Sequence, residues 1–188
     1  MASGEVRVIG VAGLPEVAPG DDLASLIIDA AARQNTPIQD ADVLVVTQKV
    51  VSKAEGRLVD LRTVEPSPFA RHVAQAYDKD PRLVEVILRE SRRIVRMDRG
   101  VLITETRHGF ICANAGVDAS NVAQDDTVAL LPEDPDASAQ AIRAKVREQA
   151  MAEVAVVISD SFGRPWREGV ANVAVGVAGM LALKDYTG

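Results

Sequence analysis

The sequence predicts a mixed α/β to α+β fold, a mixed sheet with flanking helices arranged as two intimately packed lobes. Three observations lead there. Two short β-branched runs, 42–47 and 154–158, are apolar enough for strands buried on both faces, and capped helical segments alternate with them, as in parallel sheets. The stretch from Arg92 to Ala113 instead folds back on itself through a tight turn, as antiparallel strands do. Finally, 188 residues that are 47% hydrophobic but only 3% aromatic suffice for one domain, or two small lobes, around an aliphatic core.

Taken in order, Glu5 to Val11 alternates and then runs apolar, which predicts a first strand. Gly13-Leu14-Pro15-Glu16 and Pro19-Gly20 then form a loop. Asp21 or Asp22 caps a helix on which Leu23, Leu26, Ile27 and Ala30 share a face, ending near Asn35-Thr36-Pro37. The run 42–47 is the first buried strand, and Gln48 to Lys53 lies at its C-terminal end, where open α/β sheets bind ligands. Arg57 to Leu61 reads as another strand. Ser67-Pro68 and Asp80-Pro81 each open a helix with a cap and a first-turn proline. Arg92–Asp98 and Val101–Thr106 are strands, Arg107-His108-Gly109 is a turn, and Phe110 to Ala113 returns. Gly116 to Asn121 is a polar loop and Thr127 to Leu131 a short strand. A helix covers Pro135 to Ala150, and Val154 to Ile158 is the clearest buried strand, ending in Ser159-Asp160-Ser161. The longest weakly polar run, Gly169 to Leu183, is rich in glycine and alanine and contains Asn172.

Composition narrows the function. Lys and Arg number 21 against 27 Asp and Glu, a formal charge of −6. This argues against a nucleic-acid binder, although a few local cations suffice for a phosphate ligand. The single cysteine, Cys112, allows no intrachain disulfide and fits a reducing compartment. The N-terminus has no basic start followed by an apolar run, and 169–183 falls short of the ~18 apolar residues of a membrane span. The expectation is a cytoplasmic protein without a membrane segment.

Four segments carry chemistry-bearing residues. Asp160-Ser161 follows a buried strand, and a rigidly held carboxylate beside a hydroxyl suits Mg²⁺ or Mn²⁺; the same aspartate would also serve as a turn cap. Gly116 to Asn121 offers Asp118, Ser120 and Asn121, either as further metal and oxygen contacts or as a surface turn. Lys49 and Lys53 suit phosphate oxygens, or simply form a solvated helix face. Gly163 to Gly169 holds the only tryptophan, Trp166, with Arg164 and Arg167, which fits anion binding as well as a loop pinned by its aromatic ring. No P-loop, no G-x-G-x-x-G after the first strand and no zinc spacing is present, and His72 and His108 belong to no nucleophile arrangement.

In order along the chain, Gly13 to Val17, Thr47 to Gly56 (TQKVVSKAEG), Gly116 to Val122 (GVDASNV) and Val156 to Arg164 (VVISDSFGR) closely resemble the coenzyme F-420 gamma-glutamyl ligase family, from about Val6 to Gly188. The resemblance implies a gamma-glutamyl ligase-like domain over 1–188 and a GTP-dependent reaction. L-glutamate is joined to the carboxylate of a deazaflavin coenzyme precursor through an acyl phosphate, with two divalent cations, Mg²⁺ or Mn²⁺. It implies guanine-nucleotide contacts at Leu14, Pro15, Glu16, Val17, Gln48, Lys53 and Asn121, and metal ligands at Asp118, Asp160 and Ser161. Charge and position add Lys49 as a phosphate contact and Arg164 as an anion contact, which places Asp118, Asp160 and Arg164 at the reacting groups. A cytoplasmic homodimer is expected. Family ligases continue beyond the position of Gly188, so part of the nucleotide and metal shell is expected from a later segment. The alternative function is a nucleotide- or coenzyme-binding module without ligase activity.

Overall fold

A computed structural model describes residues 4–119, 126–163 and 169–187. Its helices start where the local chemistry demands. Asp22 caps α1 (Leu23–Arg33), its carboxylate accepting the Ser25 N–H. Ser67 and Asp80 cap α3 (Pro68–Tyr77) and α4 (Pro81–Arg89), and Asp134 caps α5 (Pro135–Ala150); each of these three has proline in its first turn. The remaining helix, α2 (Gln48–Ala54), follows β1 (Val43–Thr47) without a connecting loop.

The expected mixed sheet is resolved into three sheets. In the first, β1 pairs in parallel with β7 (Ala155–Gly163), which pairs antiparallel with β8 (Val170–Ala178). β2 (Leu58–Asp60) pairs with β6 (Thr127–Ala129), and β3 (Ser91–Asp98), β4 (Val101–Thr106) and β5 (Ile111–Ala113) form an antiparallel meander. Two aliphatic cores result. One joins α1, α2 and α5 to the first sheet through residues such as Ile27, Val51, Val146 and Ile158. The other joins α3 and α4 to the meander and β6 through Val84, Ile87, Leu102 and Val128. This is the mixed α/β to α+β class with two packed lobes.

Three expectations are corrected. Glu5 to Val11 has the right alternation but pairs with no described strand, and Val6 and Val8 stand in solvent; side-chain periodicity without a partner edge makes no strand. β1 lies at an edge of its sheet among the described residues, and one of its faces, carrying Val43 and Val45, is exposed, so its apolar character does not mean burial on both faces. β7 does not end at Ser159-Asp160-Ser161 but pairs with β8 as far as Gly163. β8 itself, inside the glycine- and alanine-rich run, was not expected.

The small residues of β8 follow from packing. A Cβ on Gly176 would lie 2.3 Å from the Pro135 carbonyl oxygen at the start of α5. The neighbour is backbone and cannot swing away, so Gly176→Ala is expected to cost about 2 kcal/mol or more, read as a lowered midpoint in urea unfolding. An unchanged midpoint would show that α5 is not seated on this strand. Among the described residues no helix is long and apolar enough to cross a membrane.

Candidate active site

The parallel pair β1 and β7 sets the site. Their register aligns Thr47 with Ser159, so Gln48, the first residue of α2, lies beside Asp160 at the C-terminal end of β1. On β7 the side chains of Val156 and Ile158 point into the core, and both are fully buried. Asp160 continues that same alternation, which drives a carboxylate onto an apolar face. Burial, first, and the nearby charge of Asp118, second among the raising influences, lift its pKa above 3.8, while hydrogen bonds from the Ser161 backbone and the Gln48 side chain, and the Lys49 charge, oppose the shift.

Asp118 arrives from the other lobe. A turn at Asn114, Ala115 and Gly116, all with positive φ, redirects the chain after β5. Gly116 fits there because a Cβ would come 2.8 Å from the Leu131 side chain. Asp118 then exchanges both backbone hydrogen bonds with Ala129 of β6, at 2.9 and 2.8 Å. Its carboxylate pairs with the Lys49 ammonium at 2.7 Å. Asp118, Asp160, Ser161, Gln48, Cys112 and Phe162 all line one small cavity where the two lobes meet.

The expected site residues divide accordingly. Asp118, Asp160, Ser161, Gln48 and Lys49 come together. Lys53 lies about 7.5 Å beyond Gln48 along α2, by helical rise, where it pairs with Glu16. The Gly20 N–H, bonded to the Ala54 carbonyl at 2.8 Å, holds that loop against α2. Leu14 and Pro15 are exposed, and Val17 is turned into the core, so its side chain faces away from any ligand in the loop. Asn121 and Arg164, with Trp166 and Arg167, lie outside the described residues.

The donor set fits a hard divalent cation. Asp118 and Asp160 supply two carboxylates, and the Ser161 hydroxyl, which donates to Asn172 Oδ1 at 2.8 Å, keeps its lone pairs for another partner. No cluster of three or more His, Cys, Asp or Glu exists among the described residues. A cation held here would therefore complete its shell with phosphate and water oxygens, the usual habit of Mg²⁺. Cys112 forms part of the same lining. It is buried, and burial with the Asp160 charge pushes its thiol up to about 11, so it stays a neutral wall of the cavity at ordinary pH.

The sequence matches the F420-0:gamma-glutamyl ligase family over residues 12–188. The coenzyme F420:L-glutamate ligase of Methanothermobacter thermautotrophicus is 48% identical over 184 residues, which cover 97% of this chain and 72% of that protein. The enzyme of the same name from Methanopyrus kandleri is 51% identical over 173 residues, covering 92% of this chain and 66% of its own length. That of Haloarcula marismortui is 41% identical over 189 residues, covering 97% and 71%. The chain thus spans about two thirds of the length of the relatives it matches.

Proposed function

The chain belongs to the F420-0:gamma-glutamyl ligase family, and on that premise we propose that it is a GTP-dependent, amide-forming ligase that adds L-glutamate to a deazaflavin coenzyme precursor in the cytoplasm. The observation that carries the reading is the meeting of Asp118 and Asp160, one from each lobe, at a cavity beside Lys49. Phosphoryl transfer asks for charge neutralisation and alignment rather than a protein nucleophile, and this cavity offers carboxylates, a hydroxyl and an ammonium, with a thiol that stays neutral.

In the proposed reaction a precursor carboxylate oxygen attacks the γ-phosphorus of GTP. A new O–P bond forms, the bond to the β-phosphate oxygen breaks, and GDP leaves. The glutamate amine then attacks the acyl carbon, loses a proton and expels phosphate. Divalent cations, Mg²⁺ or Mn²⁺, would neutralise the charge gathering on the transferring oxygens. Asp118, Asp160 and Ser161 would hold them, and Lys49 would turn from Asp118 to the phosphates. Glu16, Lys53 and the loop from Leu14 to Val17, with Val17 through its backbone alone, would bind the nucleotide beyond the phosphates, with Gln48 at the cavity wall; Asn121 and Arg164 are retained as nucleotide and anion contacts. A homodimer is part of the same proposal.

The test is product formation. GDP release is expected only when the precursor, L-glutamate and Mn²⁺ are present together with GTP, with the amide product seen by mass spectrometry. Thermal stabilisation by GTP without product would favour the nucleotide-binding module instead. No stabilisation and no product would refute both. Sedimentation at several concentrations tests the dimer.

A further inference from the structure

Gln48 and Ser52 stand one helical turn apart on α2, and both are buried, at 2% and 0% exposure. A buried amide is costly unless both of its ends are satisfied. The Ser52 hydroxyl donates to Gln48 Oε1 at 3.0 Å. This is an unusual choice, because a serine within a helix more commonly bonds the backbone carbonyl four residues back. With the amide oxygen turned to Ser52, the NH₂ end is the one turned to the neighbouring strand. There it meets Asp160, whose carboxylate it hydrogen-bonds. The register of β1 on β7 makes the meeting unavoidable, since Thr47 lies opposite Ser159 and the following residue of each strand comes next. The adjacent residue, Lys49, engages the other carboxylate, Asp118. A methionine or leucine would fill the Gln48 space without the desolvation cost. The polar pair is explained if the carboxylate next to it has to be held charged and in one orientation.

We propose that Ser52 and Gln48 form a buried positioning relay: Ser52 fixes which way the Gln48 amide faces, and the amide fixes the Asp160 carboxylate for a divalent cation. The role of Asp160 as a cation ligand rests on the function proposed above; the relay itself does not. Neither Ser52 nor the Gln48 backbone carbonyl enters the chemistry, and Ser52 acts only through its neighbour.

A double-mutant cycle on Mn²⁺ affinity tests the relay, with free Mn²⁺ followed by its electron paramagnetic resonance signal. Ser52→Ala is expected to weaken binding about five-fold, the worth of one neutral hydrogen bond, and Gln48→Met about ten-fold or more. In the Gln48→Met background, Ser52→Ala should add nothing, because the group it orients is gone. A purely structural serine would show the same loss in both backgrounds, and that result overturns the proposal. A second measurement needs no metal. The Gln48 side-chain NH₂ should give slowly exchanging resonances in the nuclear magnetic resonance spectrum, shifted by Asp160→Asn and losing protection in Ser52→Ala. If the wild-type protein binds no Mn²⁺, the functional reading fails while these resonances still decide whether the relay exists. A fast-exchanging Gln48 amide in the wild type overturns it.

Discussion

Asp160→Asn is expected to lower turnover by about three orders of magnitude and to leave the protein at least as stable as the wild type. The two halves have one cause. Asp160 sits on the core-facing side of β7, and burial together with Asp118 raises its pKa above 3.8 in the folded chain. A carboxyl raised by folding is bound more tightly by its proton in the native state. Below 3.8 it therefore costs no stability, and the cost grows as pH rises through the raised value and the buried group ionises. Asparagine keeps the shape, can still accept from the Gln48 amide, and removes the charge. In the absence of divalent ions, the melting temperature of the variant relative to wild type should climb as pH rises from acid to neutral. For turnover the charge is indispensable on the proposed mechanism, since cation-assisted charge stabilisation amounts to several kcal/mol, which is on the order of 10³ in rate. A variant with wild-type activity would remove Asp160 from the chemistry. One that unfolds readily at neutral pH would mean that its charge stabilises the fold, contrary to the burial argument.

The architecture was legible wherever a local signal decided it. α5 begins and ends where its cap, proline and periodicity put it, and α3 and α4 follow the same logic. The hairpin β3–β4 and the return strand β5 were legible from turn residues between apolar runs. What failed depended on partners. Val43 and Val45 are apolar yet exposed, because nothing in a β-branched run says which of its two faces is covered. Val6 and Val8 alternate correctly and pair with nothing described. β8 was hidden by its own packing: Gly176 is small because α5 lies on it, and smallness in a sequence reads as loop. The site shows the same division. That Asp160 follows a buried strand could be read locally, but that Asp118 reaches the same cavity depends on the left-handed turn at 114–116 and on the pairing with Ala129. Residue chemistry alone allowed Asp118 to share a metal with Asp160 but equally allowed a surface turn, and the resemblance chose between the two. Gln48 was expected as a nucleotide contact past the end of a strand, and nothing in that expectation called for its burial. Its one sequence clue was Ser52, four positions on, a second polar residue on the same face of a helix whose Val51 is also buried.

Lys49→Met is expected to move two properties of the site in opposite directions. The Lys49 ammonium is 2.7 Å from Asp118 Oδ2, and both side chains are partly withdrawn from solvent, at 20% and 32% exposure. That withdrawal strengthens the pair beyond a surface ion pair, though screening still tempers it. A divalent cation approaching Asp118 must compete with this resident ammonium. Methionine preserves the length of the side chain and removes the competitor, leaving the carboxylates of Asp118 and Asp160 facing each other across the cavity with one fewer positive charge between them. Mn²⁺ should then bind several-fold more tightly in the absence of nucleotide, as read by the loss of the free-ion resonance signal. Catalysis should suffer by contrast. On the proposed mechanism the displaced ammonium moves to the phosphates, and a missing cation at a transferring phosphoryl group costs on the order of 10³ in kcat/KM. Tighter metal binding with poorer turnover is a combination that neither a misfolded variant nor a lysine of purely structural role would give. If Mn²⁺ affinity instead falls along with activity, Lys49 supports the cation rather than competing with it, and the exchange of partners proposed for it is wrong.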